Sequence, residues 1–463
     1  MTLILNLIMK NPSENIYDKF PEMKTHPIKM KEANQSILIH AGSFILNSKN
    51  KIMTLDGTIS FDWLPKICVK FKGELVKNEL DINFCFESKL PVILSIEGHD
   101  LGNCIFTGMK ISGETTFEGQ FWDEVIVGDK SIPVSSVRFV IPNLKPFHGE
   151  PYKLTSKDRI QSNWGRLIFS NQDYNITIDM LPDYDKLNDK LSSQGGYIIQ
   201  YVGEVVKTKG LIYHDNIENV TQGFSLFLSF INGRRCSTLF NQGIHENQEV
   251  WIDYTPKKVD SLKSVFSWTL YENPTELNNL WNNFYKLWLD ISDKSFLKSA
   301  IHWYLEANKN STYVEGSIIL TQIGLELIYN WYVIETKKLI MGKDSETISA
   351  SNKIRLLLSQ INLTSDTPQS LKRLNLYIKD NKLPDGIEAF VQIRNSLVHS
   401  QEDKREKFRL IDEDVLPEAL GLGLWYLELS ILKVLNYQGS YLSRCSSDPV
   451  TGTNILKVPW TIN

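Results

Sequence analysis

Cysteine is scarce in this chain: five residues, Cys68, Cys85, Cys104, Cys236 and Cys445, are spread over 463 positions. They are odd in number and none forms a Cys-x-x-Cys pair, which speaks against a disulfide framework or a cysteine metal site and suits a reducing compartment. No stretch approaches the roughly 20 apolar residues of a membrane span. The short apolar patch from Leu3 to Met9 has neither a basic region before it nor a small-residue cleavage site after it. A cytoplasmic protein with no membrane partner is therefore expected. Positive charge is not in excess either. Lys and Arg total 50 against 54 Asp and Glu, a net charge of -4, so the chain does not coat nucleic acid over its whole surface and any RNA contact is local. Internal repeats and low-complexity tracts are missing as well. What remains is an ordinary globular composition, 42% apolar and 22% charged, in a chain longer than one core usually serves, so two or three domains are expected.

From about residue 36 to 141 the apolar pattern has period two in short pieces: Ser36 to His40, Thr58 to Trp63, Ile67 to Phe71, Ile82 to Phe86, Val92 to Glu97, Cys104 to Met109 and Val134 to Ile141. Turn residues separate them, the pattern of antiparallel strands in a sandwich or jelly roll. The segment from Pro142 to Tyr152, rich in Pro and Gly, reads as a crossing or subdomain boundary. Strands then resume at Arg166 to Phe169, Asn175 to Asp179, Gly196 to Val206, Gly223 to Ile231 and Glu249 to Tyr254. Gly98-His99-Asp100 is a hairpin turn and Phe121-Trp122-Asp123-Glu124 an aromatic strand end on this reading, not acid/base clusters.

At Pro274 the period changes. Thr275 to Asp290, Ser295 to Asn308 and Thr312 to about Met341 have helical spacing. The third is opened by a Thr312-x-x-Glu315 box, closed by Gly342 and apolar on most sides, so it is the expected central helix. Gln322, Glu326 and Asn330 draw a polar line along it. Helices are expected at Ser345 to Ile361 and Pro368 to Lys379, with Thr367 as N-cap, and at Asp414 to Tyr437, where Ala419, Gly421 and Gly423 would allow close helix approach. The charged run from Gln401 to Arg409 reads as a solvated loop, the alternative being a segment that grips phosphates beside a ribonuclease site. The fold class is α+β: a β-rich region over 1–272, a helical domain over 273–438 and a tail over 439–463 packed back on the fold.

The segment from Asp385 to Ser400 carries the chemistry. Pro384 precedes it, and Asp385 with Glu388 makes an Asp-x-x-Glu capping box. Ile387, Phe390, Val391, Leu397 and Val398 form an apolar stripe whose open position is filled by Arg394. A guanidinium there is expected to meet an anion, a partner subunit's polar group or a ligand, because burying a charge without a partner is costly. Asn395 and His399 lie one turn apart nearby.

Arg394, Asn395 and His399, near the end of a helix in an all-helical region, resemble the Arg-x4-6-His signature of the HEPN superfamily. The resemblance covers roughly the last 190 residues. It implies a helical bundle, a metal-independent ribonuclease and a dimer in which two motifs face each other. His399 would act as general base on a ribose 2′-OH or as general acid on the leaving oxygen. Arg394 would hold the scissile phosphate, Asn395 would orient His399 or the phosphate, and Glu326 would support the motif from a neighbouring helix. One His per chain is too few for concerted acid and base work, so a homodimeric composite site is the economical solution. RNA, tRNA among the candidates, is the expected partner, with a phage or protein trigger on the β-rich half. No cofactor and no metal is expected. The whole layout resembles that of ApeA-type anti-phage proteins. The competing expectation is a non-catalytic HEPN module for dimerisation or nucleotide binding, with the β-rich half holding a protein partner.

Overall fold

Alternating apolar residues between Ile37 and Phe121 close into a barrel. The computed structural model describes residues 19–48, 51–76, 92–112, 114–155, 160–271, 274–309, 313–398, 401–446 and 454–461. Its first strands are β1 (Ile37–Ser48), β2 (Lys51–Asp62), β3 (Cys68–Leu75), β4 (Val92–Ile96), β5 (His99–Ser112) and β6 (Glu114–Phe121). They pair antiparallel in the order β1-β2-β3-β6-β5-β4, and β4 returns to β1 through Ile45↔Ser95 and Leu46↔Leu94. Phe44, Leu46, Leu55, Ile59, Phe61, Val69, Phe71, Val92, Leu94 and Phe117 are buried in the resulting core. Gly119 makes room for one of these rings, since a Cβ there would lie 2.2 Å from Phe71 Cε1. Closure leaves no free edge. The expected sandwich or jelly roll is thus corrected to a barrel followed by a separate sheet. The strand expected at Ile82 to Phe86 lies outside the described residues.

The second sheet holds β7 (Ile126–Gly128), β8 (Ser136–Pro142), β9 (Glu150–Thr155), β10 (Ile160–Ser170), β11 (Tyr174–Met180), β12 (Ile199–Lys207), β13 (Leu239–His245) and β14 (Gln248–Asp253). Its order is β7-β14-β13-β8-β12-β11-β10-β9. The segment after Pro142 carries the chain from the middle of this sheet to its far edge, which makes it the expected crossing. Barrel and sheet share a core in which Phe61 lies 4.8 Å from Phe240 and Trp63 stacks on Tyr197 at 5.4 Å. Two helices interrupt the strands, α1 (Tyr184–Gln194) and α2 (His214–Asn232). The second corrects the strand expected at Gly223 to Ile231. Apolar residues stand at both parities there, and the deciding signal lies upstream, where buried Ile217, Val220, Phe224, Phe227, Leu228 and Ile231 keep helical spacing.

Met1–Ser225 with Cys236–Leu262 make one compact unit, and Leu226–Arg235 with Lys263–Asn463 make another. The second is helical: α3 (Pro274–Leu289), α4 (Ile291–Asn308), α5 (Val314–Ile328), a π-helical extension (Tyr329–Thr336), α6 (Lys343–Thr347), α7 (Ala350–Ser359), α8 (Lys372–Asp380), α9 (Gly386–Val398), α10 (Glu402–Arg409) and α11 (Val415–Val434). Val314–Thr336 and Val415–Val434 are long and apolar enough to cross a membrane by length and composition. However, 50% and 83% of their most apolar stretch is buried inside the fold, as in core helices.

Several helix boundaries differ from the sequence reading. The helix beginning near Thr312 is central as expected, packing against α4, α7, α9 and α11, while the most buried helix is α11, in which every residue from Leu422 to Leu432 is buried. The central helix has Tyr313 as N-cap with no side-chain bond, and Thr312 lies outside the described residues. It leaves α geometry at Ile328, winds wider to Thr336 with Lys337 N on Tyr332 O at 2.9 Å, and does not reach Gly342, which precedes α6. Ser349 caps Asn352 N and starts α7 afresh, splitting the helix expected over Ser345 to Ile361. The helix expected from Pro368 starts at Lys372, with Leu371 and not Thr367 at its N-cap. The run Gln401 to Arg409 is helical instead of a loop. Gly423 does allow close approach: a Cβ there would meet the Phe390 ring at 2.5 Å and Thr321 at 3.0 Å, which brings α5, α9 and α11 together. The tail packs back through β15 (Ser440–Leu442) on β16 (Ile455–Lys457) and through Trp460, whose indole donates to Tyr437 O at 2.7 Å.

Candidate functional site

The helix that carries Arg394 is fixed at its start. Asp385 Oδ1 accepts from Glu388 N at 2.8 Å, the forward half of a capping box. The reverse half does not form, because Glu388 turns to Arg355 at 3.5 Å and to Gln392 at 3.2 Å. Arg355, on α7, then grips Asp385 with both arms, Nε to Oδ2 at 2.7 Å and Nη2 to Oδ1 at 2.8 Å. Those bonds raise the Arg355 pKa further above its ordinary value. Such a two-pronged pair fixes direction as well as distance. The chain offers no local sign of it, since Arg355 and Asp385 are thirty residues apart.

Burial along α9 corrects the expected stripe. Ile387, Phe390 and Ile393 are fully buried, with Ala389, Val391 and Ser396 beside them, whereas Val398 is 44% exposed. Ile393, left out of the stripe, holds its centre, and Arg394 stands on its flank, half-buried. A flank position lets the aliphatic stem pack while the guanidinium reaches outward. Arg394 Nη1 donates to Asn395 Oδ1 at 3.3 Å. Its Nε is buried and, among the described residues, has no acceptor. His399 lies outside the described residues.

Glu326 takes two partners. Gln322 Nε2 donates to its Oε1 at 2.7 Å, and Lys353 Nζ stands 3.7 Å from its Oε2. Two members of the expected polar line therefore meet each other, while Asn330 is exposed. Lys353, which the sequence did not single out, supplies the counter-charge and also lies over the Tyr329 ring at 5.9 Å. No hydrogen bond or ion pair joins Glu326 to Arg394 among the described residues. Among the described residues Gln322 Oε1 and Tyr329 Oη are buried without partners, so α5 and its π-helical extension hold unused hydrogen-bonding capacity.

Two of the buried thiols are poorly placed for chemistry. Burial pushes the Cys104 and Cys445 thiols up to about 12, which keeps them protonated and unreactive near neutral pH. Among the described residues no group of three or more His, Cys, Asp or Glu is placed to hold a metal ion. A fully buried charge in this unit is structural. Glu428, fully buried, accepts from Arg444 Nε and Nη2 at 2.9 and 2.8 Å and from Tyr304 Oη at 2.8 Å, which locks the tail to α11 and α4.

What this arrangement defines is a helical unit in which the half-buried Arg394, near the end of a firmly anchored helix, holds no carboxylate among the described residues. Residues 290–454 of the chain match the family model described as the YopA C-terminal domain, and residues 129–265 match that of the YopA central domain. The chain is also 25% identical over 439 residues, 93% of its own length and 96% of the relative's, to the SPbeta prophage-derived uncharacterized protein YopA of Bacillus subtilis (strain 168). No solved structure matches it significantly.

Proposed function

We propose that this protein is a metal-independent endoribonuclease of the HEPN type, cleaving RNA, tRNA among the candidates, in a toxin or anti-phage role as a homodimer. The observation that carries the reading is the state of Arg394. Arg166, Arg355 and Arg444 each hold a carboxylate with two hydrogen bonds. Arg394 holds none among the described residues, and its Nε is buried and unpaired. An unsatisfied buried donor costs about 1–3 kcal/mol. A phosphodiester that reaches the outward end of this guanidinium would take the place that a carboxylate fills on the other three arginines, in the fork geometry that guanidinium matches best.

In the reaction, Arg394 binds the scissile phosphate and stabilises the charge that grows on its oxygens. Asn395, already bonded to Arg394, orients it. His399, five positions after Arg394, removes the 2′-OH proton or protonates the 5′-oxygen, and its partner-subunit copy takes the complementary role. Glu326, held by Gln322 and Lys353, supports the site through the packing of α5 against α9. The prophage origin in the relative's name suits a nuclease used in conflict between phages and hosts.

Incubating total RNA with the intact chain tests this. Cleavage is expected in the presence of EDTA, with products ending in 2′,3′-cyclic phosphate or 3′-phosphate, and His399→Ala and Arg394→Ala should each lower it by at least about 100-fold. Wild-type cleavage by His399→Ala, or loss of activity on adding EDTA, overturns the assignment. A chain that cleaves while remaining a monomer in light scattering sinks the composite dimer site.

A further inference from the structure

A pocket of about 500 Å³ opens on the helical unit between one face of α3 and the turn that follows α11. Its lining includes five carboxamides, Asn279, Asn282, Asn283, Asn436 and Gln438, with Glu276 near the start of α3 and Lys286 ten positions further along it. The turn wall is built in advance. Asn436 takes a φ of 51°, the Tyr437 hydroxyl lies 2.9 Å from Glu276 Oε2 and 2.7 Å from Ser440 O, and a Cβ on Gly439 would come 2.1 Å from Glu276 Oε2. Gln438 Nε2 is held by Asn436 Oδ1 at 2.8 Å and Asn282 Nδ2 by Asn278 O at 3.0 Å, which leaves each amide its oxygen as an acceptor. Asn279 and Asn283, one turn apart, keep both halves of their amides unengaged among the described residues.

This chemistry selects its ligand. The pocket offers a nucleobase no exposed aromatic face to stack on, because Tyr437 is 4% and Leu280 1% exposed. Carboxamides pair donor and acceptor together, the pattern that a peptide main chain presents residue after residue. From Asn279 to Lys286 the helix rises about 10.5 Å, about three residues of extended chain at about 3.3 Å each. At that end Lys286 places an ammonium group suited to a carboxylate. We propose that this pocket binds a short extended peptide through its main chain, with a carboxylate of the peptide on Lys286, and so gives the helical unit a receptor site for a protein partner.

The test selects randomised heptapeptides with free C-termini from a displayed library on the intact chain. Enrichment is expected. For the selected peptide, Kd should rise at least tenfold in Asn279→Leu/Asn283→Leu and in Lys286→Glu, with melting temperatures unchanged. Amidating the C-terminus raises Kd equally if the carboxylate is terminal, and replacing an internal Asp or Glu by its amide does so if it is a side chain. No enrichment, affinity indifferent to both variants, or displacement of the peptide by AMP overturns the proposal. All readouts are of binding, so they stand whether or not the chain cleaves RNA.

Discussion

In the β-rich unit, Arg166 lies against Asp179 with both at most 4% exposed, Nε and Nη2 each 2.7 Å from an oxygen. The same pair receives the early segment of the chain: Arg166 donates to Glu22 O at 2.6 Å and Asp179 accepts from Lys24 N at 2.7 Å. The helical unit repeats the device at the other end of the chain, where Glu428 and Arg444 hold the tail. In both, every charge is matched and a terminal segment is tied to a core. Arg394 differs from both, with one long bond to its neighbour and a buried Nε left over. The difference lies in what fills the fork: a carboxylate fastens Arg166 and Arg444 to their segments, and among the described residues no carboxylate takes that place on Arg394.

Removing a fastener is the harshest way to probe that contrast. Glu428→Ala leaves Arg444 buried without its anion and should cost about 3–5 kcal/mol, read as a loss of denaturation midpoint, with Asp179→Ala giving a similar loss in the other unit. A change below about 1 kcal/mol in either would remove the distinction between filled and open forks.

Acid separates the units next. His26 is 2% exposed, its Nε2 2.9 Å from Phe240 O, and burial lowers its pKa from 6.5 to about 4. The unfolded chain therefore takes up a proton that the folded one refuses. This contribution is complete above pH 6.5 and fades as pH falls from 6.5 to 4, by about 3 kcal/mol in total. His26→Gln, which can keep a bond to Phe240 O, should flatten the pH dependence of unfolding over that window; an unchanged slope would locate the acid sensitivity elsewhere.

A smaller effect is expected at the α9–α11 crossing. Gly423→Ala must push the Phe390 ring aside, at a cost of about 1–3 kcal/mol, and it should lower RNA cleavage by shifting the helix that bears Arg394. Smallest of all is Arg394→Met. With no carboxylate lost, the stability change should stay within about 1 kcal/mol, while cleavage disappears. A drop of 3 kcal/mol would make Arg394 a fastener like the other two.

Short-range chemistry was legible in the chain. Asp385 announces the start of α9 because a cap acts within three residues, and the strands from Val92 and Tyr174 follow from alternation along a few positions. The helix at His214–Asn232 was hidden because a window of apolar residues at both parities fits either period. Its sense comes only from the turns before it.

The amino-acid order by itself determined the β-rich first part, the helices after Pro274, and the presence of Arg394 and Asn395 on one helix, since these depend on spacing along the backbone. Only the tertiary structure decided that the first six strands close into a barrel, that Ile393 and not Arg394 centres the buried face of α9, and that Arg355 anchors this helix while Glu428 and Arg444 satisfy each other. Those outcomes depend on which groups meet across long chain separations, and a one-dimensional pattern carries the charges without carrying their partners.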